Sequence, residues 1–253
     1  MKTTIKLLML MFAIIFYSAC EQEEQVEPEV SKELLTDIKM PVPKLERTTY
    51  IVFVGGPNQK TLEILPILKA HNATVTFFCT YDSLSTYPDI ATRIISEGHQ
   101  ISNMGMDIVD WLSIDESQNY KIPDNLNTTQ NLIDVVDPND TSMFFKPTHN
   151  NLRKDQADVI KNYGYVIIST KFSVEDEIVT ADLAATTAIH SVESSQLQIT
   201  EFLIGGNHTM FALESVLNYT SDSIYVKPLR NLTDLSKLPT DIWDFEITTG
   251  FKK

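Results

Sequence analysis

The sequence predicts an α/β domain built on a parallel sheet, and three observations carry that prediction. Short apolar runs rich in Val, Ile and Phe alternate with helix-patterned segments from Tyr50 to Val226. The first of these runs, Tyr50 to Val54, and the run Gly164 to Ser169 are continuously apolar at their centres, as strands covered on both faces are. The chain has 253 residues, 43% hydrophobic and 21% charged, which is long enough to bury one large core in a single domain.

The first strand is Tyr50 to Val54, and Gly55, Gly56 and Pro57 stop it abruptly. In α/β sheets and barrels ligands gather where such a strand ends, so Val54 and Gly55 hold positions that normally carry chemistry. Neither side chain offers a donor or a base. Asn58 can cap a helix running to His71, with Leu62, Leu65 and Leu68 along one face and Pro66 demanding a kink or a late start. Thr74–Thr80 reads as the second strand and Pro88–Glu97 as the second helix, closed by Gly98. His99–Asn103 is the third strand. A polar stretch containing Trp111 leads to a helix over Asp124–Val136. Strands at Ser142–Phe145, Gly164–Ser169, Leu197–Leu203 and Ser223–Val226 then alternate with helices at Leu152–Tyr163, Thr180–Ser194 and His208–Leu217.

The N-terminus has its own organisation. Lys2 and Lys6 precede an apolar run from Leu7 to Tyr17, which is 11 residues long where a spanning helix needs roughly 20. Residues 1–19 therefore read as a cleaved signal peptide. Small residues before Cys20 resemble the bacterial lipoprotein box, which makes Cys20 the expected lipidation site and a membrane lipid its anchor. The acidic, proline-containing segment 20–46 reads as a tether, and 47–253 as the folded domain. Glu-Gln-Glu-Glu directly after Cys20 resembles the signal that exports some lipoproteins to the outer membrane, so the expected location is the bacterial cell envelope.

Net charge and cysteine content exclude whole classes of function. The formal charge is −14, and without residues 1–19 it is 18 basic against 34 acidic side chains, or −16. Such a balance excludes nucleic acid as a partner, because phosphate binding needs concentrated Lys and Arg. With Cys20 acylated, Cys79 is the one remaining thiol, so no intrachain disulfide forms. Cys79 ends an apolar run with no adjacent base, and it reads as a small buried hydrophobe.

Three stretches then fall in a familiar order and spacing, Tyr50 to Pro57, Leu65 to Phe78 and Ile94 to Asn103, with Phe144-Phe145-Lys146-Pro147-Thr148-His149 as a later segment of the same pattern. Together they resemble the polysaccharide deacetylase family, the NodB-type carbohydrate esterases. The resemblance implies a distorted, incomplete (β/α) barrel. It also implies metal-assisted hydrolysis of acetyl groups on a sugar polymer, with one aspartate and two histidines holding the metal and a second aspartate acting as base.

Here the resemblance places Gly55, Met104 and Ile108 at the three ligand positions and Val54 at the base. Lys146 replaces an orienting arginine, and Leu197-Gln198-Ile199-Thr200-Glu201 puts Thr200 where an acid-catalyst histidine is expected. The expectation is a catalytically inactive member that has lost its metal, retained to bind a glycan. Trp111 is the expected stacking platform, with Asn103, Lys146 and His149 as polar contacts. His99 matches a position that is structural in the family. Two alternatives stand beside this reading. One is an active deacetylase with a rearranged site using Asp107 or His149. The other is an envelope docking scaffold whose mouth is filled by Val54, Met104 and Ile108 packing together.

Overall fold

The computed structural model describes residues 47–108, 110–170, 172–174, 180–193, 199–220, 224–235 and 238. All lie in one unit, Leu45–Lys253. The signal peptide, Cys20 and the tether through residue 46 lie outside the described residues. Among the described residues no helix is long and apolar enough to cross a membrane.

The strands are β1 (Arg47–Gly56), β2 (Thr76–Cys79), β3 (Gln100–Asn103), β4 (Phe144–Phe145), β5 (Val166–Ile167), β6 (Phe172–Val174), β7 (Ile199–Leu203) and β8 (Ile224–Lys227). They form one sheet in the order β5-β4-β3-β2-β1-β7-β6, with β8 paired to β1. Every pairing is parallel. The helices are α1 (Thr61–Ala70), α2 (Tyr81–Thr86), α3 (Pro88–Ser96), α4 (Ile122–Val136), α5 (Lys154–Asn162), α6 (Ala181–Glu193) and α7 (Thr209–Thr220). The sheet curls into a half-barrel with the helices outside, the incomplete (β/α) barrel expected from the sequence.

Alternation along β1 separates two cores. Ile51 and Phe53 join a cluster with residues of α1, α3, α6 and α7, so they face the helices. Tyr50, Val52 and Val54 join Phe78, Met104, Phe144, Ile168 and Ile199 in a second cluster that contains no α-helical residue. That second cluster is the barrel interior. On the helix side Phe53 stacks between Phe77 and Phe202, with ring centroids 5.2 and 5.6 Å apart, tying three neighbouring strands together. A third cluster packs α4 and α5 over Phe145.

Local chemistry explains most boundaries. Pro88 starts α3 at a position where its missing N–H costs nothing, and Gly98 (φ 87°) ends it in the left-handed region. Gln156 caps α5 by accepting from the Arg153 backbone N–H at 3.0 Å. Two elements escape sequence reading. The short helix α2 follows β2 directly, capped by the Thr80 hydroxyl accepting from Ser83 N at 3.2 Å. Strand β6 follows β5 after only four residues, and the chain leaves β4 to pair with β7. The helix around Pro66 corrects an expectation: α1 starts at Thr61 and runs unbroken through Pro66, which is exposed.

Candidate functional site

The candidate site is the mouth of the barrel, at the carboxyl ends of the strands. β1 arrives there through a register shift between Val54 and Gly56 against β2. Gly55 within that shift has φ +83°, and a Cβ on it would meet Leu203 Cδ1 at 3.1 Å. Backbone and neighbour both favour glycine.

Val54 and Met104 are buried together in the interior cluster, with Phe78 and Ile168 beside them. Ile108 lies apart from them, 59% exposed. Its separation corrects the expectation that Val54, Met104 and Ile108 pack as one plug: the first two do, and the third projects to solvent. The three positions that the resemblance assigns to metal ligands thus hold a residue without a side chain, a buried thioether and an exposed alkyl group. Zinc and harder divalent ions take imidazole, carboxylate or thiolate, so these residues do not fit the family's metal. Asp107 accepts the Ile108 backbone N–H at 2.6 Å. Among the described residues no three His, Cys, Asp or Glu side chains converge as a metal site would require.

The charge at the mouth belongs to an ion pair. Phe144 points into the barrel, so Lys146 two residues on shares that face and is 1% exposed. Its Nζ lies 2.8 Å from Glu201 Oε2 and donates to Asn150 Oδ1 at 2.6 Å. Glu201 also accepts from the Thr170 hydroxyl, and from the Ser173 hydroxyl at 3.2 Å. Asn150 (φ 56°) in turn donates to the Thr170 carbonyl at 3.1 Å and accepts Thr170 N–H at 3.2 Å. Every charged end therefore meets a partner, which is what a buried pair requires. The network joins the end of β4 to β6 and β7.

Glu201 is the functional-looking residue that sequence reading missed, and alternation in β7 could have found it. Ile199 lies in the interior cluster and Phe202 on the helix side, so Glu201 faces inward and Thr200 outward. Thr200, expected at an acid-catalyst position, instead pairs its hydroxyl with Ser191 of α6 at 2.6 Å, away from the mouth.

The expected glycan contacts need the same correction. Asn103 points toward α4, donating to the Leu126 carbonyl at 2.9 Å and accepting from Gly105 N at 2.8 Å. It is a structural hinge between β3 and α4. Trp111 is 1% exposed, packed edge-on against Phe145 at 5.3 Å, and its indole Nε1 has no hydrogen-bond partner. No face of it is open for a sugar. Lys146 is consumed by its ion pair. Of the four, His149 alone is exposed, on a turn where its φ is 55°.

Two other residues behave as the sequence suggests. His99 Nδ1 accepts Val75 N–H at 3.2 Å, and burial pushes its pKa down to about 4. Cys79 is fully buried, and burial drives its thiol pKa up, so it is inert.

An eight-stranded parallel sheet curled into a half-barrel with helices outside defines the class of incomplete (β/α) barrels. The polysaccharide deacetylase family profile matches residues 42–168, and the chain belongs to that family. A peptidoglycan-N-acetylglucosamine deacetylase from Bacillus cereus is 35% identical over 63 residues, 25% of this chain and 23% of that protein. A chitooligosaccharide deacetylase from Rhizobium leguminosarum bv. trifolii is 34% identical over 71 residues, 28% of this chain and 33% of that protein. The matched stretches thus span a third or less of these relatives. Among solved structures, a family 4 carbohydrate esterase from Streptomyces lividans superposes with a TM-score of 0.63 at 14% identity, covering 71% of this chain and 91% of that one. A CE4 family pseudoenzyme from Bacillus anthracis superposes at 0.63 with 17% identity, covering 76% and 67%. These likenesses establish the fold.

Proposed function

We propose that the chain is a non-catalytic polysaccharide deacetylase homologue that binds glycan at the bacterial cell envelope, anchored through lipid on Cys20. The observation that carries the inactive half is the mouth itself. The resemblance puts Gly55, Met104 and Ile108 at the ligand positions and Val54 at the base, and the buried Lys146 is paired with Glu201. Losing a positioned base alone removes a factor of about 10² to 10⁴ in rate. Losing the metal as well removes the activated water. Glycan binding is supported by the family, whose relatives bear the names of peptidoglycan and chitooligosaccharide deacetylases.

Metal content measured by elemental analysis after incubation of the full-length protein with zinc, cobalt and nickel tests the first half. The expected result is under about 0.1 equivalent after desalting, with no acetate released from acetylated oligosaccharides. One bound equivalent together with acetate release refutes the inactive reading. Envelope anchoring is tested by fatty-acid labelling, which the Cys20→Ala variant should abolish.

A further inference from the structure

With Asn103, Trp111 and Lys146 buried, the mouth keeps few groups that a glycan could touch. A separate cavity of about 480 Å³ opens outside the barrel wall, between α1 and the α2–α3 junction. That volume is in the range of about 300 to 1,000 Å³ typical of ligand sites. Gln59 in its lining follows Gly56, the last residue of β1, by three positions. We propose that this groove is where the chain holds its glycan, and that the glycan is a neutral pyranose oligomer.

The lining has the composition a sugar needs. Tyr87 and Leu62 are half-buried and packed against the main core, so both are held in place before any ligand arrives. An aromatic face offers a surface for the axial C–H groups of a pyranose. Exposed Gln59, Asp89 and Arg93 supply planar donors and acceptors of the kind that pair with vicinal hydroxyls. Arg93 is oriented by its Nε donating to Glu97 Oε1 at 2.6 Å. Pro66 has no N–H to give the carbonyl of Leu62 one helical turn earlier, which leaves an acceptor on the turn of α1 that lines the groove.

Charge selects the neutral class. The groove carries one acid and one base, and that base is already paired with Glu97. It offers no surplus positive charge to an anionic polymer, and the chain as a whole is at −14. This inference rests on the glycan-binding reading above and locates its site.

Calorimetric titration of the full-length protein tests it. The probes are β-1,4-linked tetramers of N-acetylglucosamine, glucose and xylose, with tetragalacturonate as the anionic comparison. At least one neutral tetramer should bind tenfold or more tightly than tetragalacturonate. The double variant Gln59→Ala/Asp89→Ala should weaken that binding about tenfold with an unchanged melting temperature, and His149→Ala at the mouth should leave it unchanged. Binding that survives the groove variant places the glycan elsewhere and overturns the groove alone. Preference for tetragalacturonate overturns the assignment of ligand class. Failure of every tetramer to bind overturns both the groove and the glycan-binding reading.

Discussion

Removing one partner of the Lys146–Glu201 pair should destabilise the barrel far more than removing both. Lys146 is 1% and Glu201 9% exposed at the side chain, so neither charge left alone can recover its hydration. Among the described residues, the carboxylate in Lys146→Met keeps the Thr170 and Ser173 hydroxyls, and the ammonium in Glu201→Leu keeps Asn150. The deeper charge has fewer partners, so Glu201→Leu is expected to be the worse of the two. Breaking a buried pair costs about 3 to 5 kcal/mol. For a domain of this size that corresponds to a fall of roughly 6 to 20 °C in melting temperature. The double variant Lys146→Met/Glu201→Leu puts apolar groups of similar volume on the interior face that Phe144 and Ile199 share with the apolar cluster, and should return to within about 2 kcal/mol of the parent. Urea melts followed by circular dichroism measure all four proteins in one thermodynamic cycle. Additive single effects, or singles that each cost under about 1 kcal/mol, would refute the view that the pair is closed off from water.

Three further outcomes follow from single residues. His99 is neutral in the fold with a pKa of about 4 against an ordinary 6.5, so between those values the unfolded chain binds a proton that the native state does not. Stability should therefore fall by up to about 3 kcal/mol as pH drops from 6.5 to 4, and melts of His99→Gln over that window should lack this component. Gly55→Asp, which reinstates the family's ligand at that position, should cost about 1 to 3 kcal/mol in a urea melt because φ is +83° and Leu203 Cδ1 is in the way. Adding Leu203→Ala should relieve the contact and leave the dihedral strain. Trp111→Ala should cost about 3 to 5 kcal/mol while leaving glycan affinity unchanged in the refoldable fraction. A loss of affinity with unchanged stability would instead make Trp111 a binding platform.

Much of the order of strands and helices was legible because parallel strands covered on both faces tend to read as apolar runs. β1 and β2 announce themselves in this way, whereas β3 (Gln100–Asn103) is mostly polar and is marked instead by Gly98 closing the helix before it. The elements that escaped lack such a signal. β6 has three residues and exists because the chain swings from β4 to β7, a tertiary event with no local pattern. α2 has six residues, too few to show a periodic face, and depends on the Thr80 cap. Pro66 misled for the opposite reason. Its position on the exposed side of α1 lets the packed residues Ile64, Leu65 and Leu68 hold the helix through it.

The site divides along the same physical line. That Val54, Gly55 and Met104 carry no carboxylate or imidazole donor is a matter of residue identity, so it can be read from the sequence alone. Which polar groups remain usable is a matter of direction, and direction is set by one-residue parity in each strand. Asn103 and Thr200 sit one step out of phase with the interior and are spent on α4 and α6. Glu201 and Lys146 sit in phase and meet. The inward-facing Lys146 is matched by the inward-facing Glu201 2.8 Å away, so the two charges cancel locally. The Lys146–Glu201 cycle is therefore informative about the barrel mouth as well as about stability.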